Sequence, residues 1–240
     1  TLSGEGNNEL GVALAMVKSK KLISQLMTHE SFLPNLMAAK SWRMKSNTII
    51  YDSRLYDVTE KKWTRRVSPP FNQIPSSQEA IKEFSKLVSI SQNTKNNLVT
   101  LNVSHISPIV AQEWSVWIIK EINLLLADMK VNESQASIDY LNSQIKVTPY
   151  AELRTMFYEL IQEATQNMML AKVNAEYALV TIDPPLIPQI KSKPARLLIF
   201  FLGAIFGLIV SIIIILFRHY RYNKKTNLSI DDLRKWLSPR

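Results

Sequence analysis

ARLLIFFLGAIFGLIVSIIIILF, residues 195–217, decides how the rest of the chain must be read. After Arg196 the next charge is Arg218, and Ser211 is the only polar side chain between them. A helix that crosses the hydrocarbon core of a bilayer needs about 20 apolar residues at about 1.5 Å of rise each. A core helix this long and apolar on all faces would need a far larger domain around it than this chain can supply. Residues 195–217 are therefore predicted to form a transmembrane helix. Lys191, Lys193 and Arg196 precede the run, and Arg218, Arg221, Lys224 and Lys225 follow it. Their long stems suit snorkelling toward headgroups, and Tyr220 and Tyr222 suit the interface.

Charge follows the same division. Of the net +9 on 240 residues, residues 1–190 carry 19 Lys+Arg against 18 Asp+Glu, a net of +1. Residues 191–240 carry 10 against 2, a net of +8. Basicity concentrated beside an apolar span fits an anchor near anionic lipid and argues against a nucleic-acid-binding domain. The positive-inside count favours a cytoplasmic tail over residues 218–240. The chain has no cysteine, so disulfides and Cys-based metal sites are excluded. It begins at Thr1 and reads as a piece of a longer protein.

In chain order, Thr1 to Asn8 is predicted as a loop. Leu10 to Met27 has helical spacing, interrupted by the KSKK run from Lys18, and Phe32 to Leu36 reads as a short helix. Ser46 to Ser77 reads as irregular surface with one strand at Thr48 to Tyr51. Ser76 followed by Glu79 is a capping box opening a helix whose apolar face is Ile81, Phe84, Leu87 and Val88. Leu87 to Ser91 and Leu98 to Ser104 flank a polar turn and form a hairpin candidate. Ser107-Pro108 opens the longest helical pattern in the chain, uninterrupted until Pro149. A helix of about 40 residues, about 60 Å long, cannot be wrapped by a domain of this size.

Ile118, Ile122, Leu125, Met129, Asn132 and Ala136 step by fours and threes, as do Leu153, Phe157, Leu160, Ala164, Asn167 and Ala171. These two seams predict antiparallel helices turning at Thr148-Pro149, with one helix kinked at Pro149 as the alternative. Residues equidistant from the turn should then lie level, which sets Asn132 opposite Asn167. A polar pair in an apolar seam fixes register when hydrogen-bonded, directly or through a water. The alternative is that both amides face solvent or a neighbouring subunit. Tyr177 to Ile182 is predicted to return as a strand beside Leu98 to Ser104. Pro184, Pro185, Pro188 and Pro194 keep the chain extended up to the membrane helix. Gly203, Gly207 and Ser211 line one side of that helix at intervals of four, a face that lets another helix approach closely.

The sequence offers no catalytic, cofactor or metal constellation. His29, His105 and His219 have no partner at ligand spacing, and phosphate-loop, nucleophile-elbow and zinc-protease motifs are absent. Glu159 and Glu163, four apart on a helix, read as a solvated face. Trp63 with Arg65 and Arg66 reads as ordinary packing with solvated charges, with a sugar-binding patch as the alternative.

Several stretches together resemble a known family. Ile182-Asp183-Pro184-Pro185, Pro188 and Lys193-Pro194-x-Arg196, leading into Leu202-Gly203-x-x-x-Gly207, are similar to the proline-rich signature and second membrane span of polysaccharide co-polymerases. These are the Wzz-type chain-length determinants of O-antigen and related surface glycans. Ser107-Pro108, Ala111, Trp114 and Asn123, then Glu152-Leu153-Arg154, Leu160-Ile161, Met169-Leu170-Ala171 and Glu176-Tyr177-Ala178, carry the same resemblance. It spans about residues 10 to 218 and is weakest between Lys45 and Ser77.

The resemblance implies a bacterial inner-membrane protein with most of its chain in the periplasm. It implies an α+β fold, in which a membrane-proximal α/β base carries a long projecting antiparallel helical hairpin and a C-terminal transmembrane helix. The corresponding divisions are residues 1–106 (base), 107–176 (hairpin), 177–194 (return strand and proline segment), 195–217 (membrane helix) and 218–240 (basic cytoplasmic tail). It further implies no enzymatic activity and no cofactor. Copies of the chain would assemble as a homo-oligomeric ring, partnered by a glycan polymerase and lipid-linked polysaccharide, with no nucleic acid. The rival readings are a membrane-anchored coiled-coil sensor or adaptor and a glycan-acting enzyme. The tail from Asn227 to Arg240 is short for the output of the first, and convergent carboxylates are wanting for the second.

Overall fold

The computed structural model describes residues 3–93, 96, 98–188 and 200–218, with side chains from Leu10 onward. The chain divides after Ile187 into two units, and in the second only Pro188 and the helix 200–218 are described.

The first unit mixes helices with small antiparallel strands. Helix α1 (Ser3–Met16) is followed by α2 (Lys20–Leu26), α3 (Phe32–Met37), β1 (Ala39–Arg43), β2 (Thr48–Tyr51), β3 (Tyr56–Asp57) and β4 (Lys62–Trp63). Helix α4 (Ser77–Leu87), β5 (Val88–Gln92), β6 (Val99–Val103), α5 (Pro108–Val147) and α6 (Ala151–Val173) complete it. Among the described residues the strands pair only as hairpins: β1 with β2, β3 with β4, and β5 with β6.

Local chemistry accounts for the boundaries. Ser19 ends the KSKK interruption of the α1–α2 pattern by capping α2, its hydroxyl accepting from the Leu22 amide at 3.1 Å. The Ser76–Glu79 capping box is formed in both directions, at 3.0 and 3.3 Å. Ser107 caps α5, with Pro108 at the first helical position where no amide is needed. Thr148 to Tyr150 separates α5 from α6, and the two helices pack on each other.

The core lies where α2, α3 and α4 meet the first half of α5. Leu22, Ile23 and Leu26 of α2, Phe32 and Leu36 of α3, and Ala80 and Phe84 of α4 close on Trp114, Ile118 and Ile122. The Trp114 ring lies 5.0 Å from Phe32 and 6.2 Å from Phe84. Its Nε1 is buried without a partner among the described residues.

Four expectations are corrected. Thr1 to Asn8 is not a loop throughout, because α1 begins at Ser3. Ser46 to Ser77 is more regular than its composition suggests. It carries β2, β3 and β4, and β2 closes a hairpin with β1, a strand absent from the sequence reading. Residues 177–182 lie outside every strand, so the expected return strand beside β6 is not formed. The α5 seam also departs from its strict heptad beyond Leu125. Ile118, Ile122 and Leu125 are buried, but Met129, Asn132 and Ala136 are exposed, and Ser134 is buried instead. Both α2 and α6 pack on α5, and a cylinder covered by more than one partner need not bury one straight stripe.

Helix α7 (Phe200–Arg218) is 19 residues long, about 28 Å at 1.5 Å per residue, and is long and apolar enough to cross a membrane. Residues 195–199 of the predicted span and the tail 219–240 lie outside the described residues.

Candidate functional site

Three constructions organise the polar groups of the first unit. The first fastens the chain that follows α6. Asn123 on α5 is 2% exposed, among apolar neighbours where an amide must be fully bonded. Its Nδ2 donates to the Leu179 carbonyl at 3.0 Å, and its Oδ1 accepts from the Ala178 and Leu179 amides at 2.9 and 2.8 Å. One side chain thereby supplies the hydrogen bonds a neighbouring strand would have given, which explains why this segment needs no ladder. One turn-rich span earlier on α5, Gln112 Nε2 donates to the Pro185 carbonyl at 3.0 Å. Residues 178–185 are thus held to α5 at two points.

The second construction surrounds the entry to α5. The Ser107 amide donates to His105 Nδ1 at 3.1 Å, so Nδ1 is unprotonated and Nε2–H donates to the Asn35 carbonyl at 3.0 Å. Asn35, itself buried, accepts from the Tyr51 hydroxyl at 2.6 Å through Oδ1. The network joins α3, β2 and the N-cap of α5. Burial holds the His105 pKa below its ordinary value, partly opposed by these backbone bonds, and burial raises that of Tyr51.

The third is an arginine clamp. Arg65, with 8% of its side chain exposed, forms a fork on the Glu79 carboxylate at 2.6 and 3.0 Å. It also donates to the Gln73 carbonyl at 2.7 Å and to that of Asn72. The Arg65 bond holds the Glu79 carboxyl down at about 2, with the Ser76 backbone bond contributing. Beside the clamp, Asp52, Arg54, Thr64 and Arg66 line an open groove of about 640 Å³. Arg54 pairs with Asp52 at 2.6 Å and lowers its carboxyl to about 2.

The residues singled out from the sequence are distributed as follows. Pro184, Pro185 and Pro188 lie outside every helix and strand, and Pro194 lies outside the described residues. Gly203, Gly207 and Ser211 are exposed on α7, and a Cβ at either glycine would meet nothing within 4 Å. Asn132 is exposed while Asn167 is half-buried, and no hydrogen bond joins them among the described residues.

Arg65 is no part of a solvated patch, because Glu79 and two carbonyls consume it. His29 stacks on Trp117, ring centroids 4.0 Å apart and 3° from parallel. His219 lies outside the described residues. Glu159 and Glu163 are exposed on α6. Among the described residues no cluster of His, Cys, Asp and Glu could hold a metal ion. The Asn123 clamp was missed as a clamp, although Asn123 was among the residues carrying the family resemblance. Its signal is a polar side chain on the inward face of α5, beside Ile122.

No protein-family model matches the chain, and no curated protein matches it.

Proposed function

We propose that this chain is a non-enzymatic, membrane-anchored regulator of polysaccharide chain length, of the Wzz type, acting on O-antigen or a related surface glycan. The observation that carries the reading is the course of the chain from Ser107 to Arg218. A 40-residue helix starts in the core and runs on, a second helix packs on it, Asn123 and Gln112 fasten the returning segment, and prolines lead toward an apolar helix. That order is the one the family resemblance implies for its hairpin, proline segment and second membrane span, and it supports the reading.

In this reading α5 and α6 form an antiparallel hairpin projecting from a base made by α1–α4 and the strand pairs. Half-buried residues equidistant from Thr148 to Tyr150 then face one another: Leu141 with Phe157, Ile138 with Ile161, and Val131 with Met168. Each pair is apolar, as an interhelical seam requires. The hairpin is a spacer and platform, and copies of the chain assemble as a ring around it. The partners are a glycan polymerase and its lipid-linked polysaccharide. The bulk of the chain lies in the periplasm, with residues 218–240 in the cytoplasm.

Deleting the gene and resolving the surface polysaccharide on a gel tests the proposal. A changed modal length with polymer still made is the expected result. Loss of all polymer would point to a glycan-acting enzyme, and unchanged polymer to a membrane-anchored adaptor. Either would overturn the reading.

A further inference from the structure

The loop between β4 and α4 is held from within and apolar outside. Arg65 ties its far end back through the Asn72 and Gln73 carbonyls and through Glu79, and the Gln73 side chain donates to the Trp63 carbonyl at 2.6 Å. The Phe71 amide closes a turn on the Ser68 carbonyl at 3.1 Å. These bonds hold backbone carbonyls and the Glu79 carboxylate, and none of them involves the apolar side chains. Val67, Phe71 and Ile74 are 41%, 54% and 64% exposed. A soluble surface scatters such side chains singly, whereas a clamped loop that presents three of them is a contact surface.

The flanking charge selects the partner. Residues 66–75 contain no acidic side chain, and Arg66 is exposed at the start of the loop. Arg54, 82% exposed but forked onto the Asp52 carboxylate, stands across the groove that both arginines line, so Arg66 carries the charge argument. A guanidinium group beside exposed Phe, Val and Ile matches the two layers of a bilayer surface, with phosphate outside and acyl chain beneath. The same chain carries α7, so lipid contact by the first unit is intramolecular, and a contact too weak to recruit a free protein still forms.

We infer that residues 66–75 are a second membrane contact: Val67, Phe71 and Ile74 enter the interface of an anionic phospholipid surface while Arg66 binds its phosphates. The contact would fix the orientation of the first unit over the bilayer. This inference does not depend on chain-length regulation.

The absence of cysteine makes a single-label test direct. Full-length Phe71→Cys, carrying an environment-sensitive fluorophore, is reconstituted in nanodiscs of equal parts phosphatidylglycerol and phosphatidylcholine. A second protein labelled at Tyr158→Cys, exposed on α6, is the reference. Nitroxide-labelled lipid is expected to quench the position 71 label at least about two-fold more than the reference, and aqueous iodide correspondingly less. Arg66→Ala, an exposed change that leaves the Arg65 clamp intact, should return the label toward iodide, as should discs of phosphatidylcholine alone. Equal iodide quenching at the two positions would overturn the inference. Shielding from iodide without quenching by nitroxide lipid would also overturn it, by assigning the loop to a protein contact.

Discussion

Asn123 concentrates in one side chain what a strand pairing would spread over several backbone groups. Replacing it with Leu keeps the volume but leaves the Ala178 and Leu179 amides and the Leu179 carbonyl without their protein partner. The expected loss is about 2–3 kcal/mol. It should appear first in hydrogen exchange, with the amides of Ala178 and Leu179 losing protection while those in the middle of α5 keep theirs. Arg65 and Glu79 make the corresponding point for charge. The pair is mostly buried, so Glu79→Ala strands a guanidinium and should cost about 3 kcal/mol.

The pH dependence of that pair has a definite sign. The folded-state pKa of Glu79 is lowered from 4.5 to about 2, so its contribution is present above the unfolded value and is lost as pH falls from about 4.5 toward 2. Glu79→Gln should flatten the acid limb of a stability–pH profile in that window. His105 also acts in the acid direction, since burial lowers its pKa. It stabilises the fold while neutral, above its unfolded value of about 6.5, and loses that contribution as pH drops below it.

At the level of single elements, α5 shows how a regular pattern yields when more than one element packs on it. Its burial follows the predicted seam through Leu125 and then moves to Ser134, leaving Asn132 in solvent. Asn132→Leu is therefore expected to shift thermal stability by no more than about 0.5 kcal/mol, the range of exposed substitutions. Ala171, 3% exposed on α6, should not tolerate Asp, whose charge would be buried without a partner, at a cost of at least about 2 kcal/mol. Thermal unfolding of the two variants compares them directly. On α7, Gly207→Leu adds bulk where the small face would meet another helix. It should weaken self-association in a membrane two-hybrid assay, whereas Ile205→Leu should not. Equal tolerance would count against packing through that face.

For the whole molecule, the decisive property is the division after Ile187. The apolar helix Phe200–Arg218 and the basic residues around it should hold the full chain in the membrane pellet through alkaline carbonate washing, and deletion of 200–218 should release it. High salt alone should not release the intact chain, because the anchor is hydrophobic and only its flanks are screened. Polysaccharide length is a separate readout, and it tests what the chain does once anchored.

What the sequence determined by itself is what short-range chemistry and composition control. The apolar run before Arg218, the caps at Ser76 and Ser107, the β5–β6 hairpin, and the uninterrupted helix ending before Pro149 all depend on neighbours within a few residues. The tertiary structure decided matters in which partners lie far apart in the chain. Arg65 looked like a surface cation until the carbonyls of Asn72 and Gln73 and the carboxylate of Glu79 converged on it. Residues 177–182 have strand-like composition, yet Asn123, more than fifty positions earlier, takes the place of a partner strand. Asn132 fitted the heptad, but a heptad fixes only spacing along one helix. Which face is buried depends on which elements pack on α5, and that is a property of the packed chain alone.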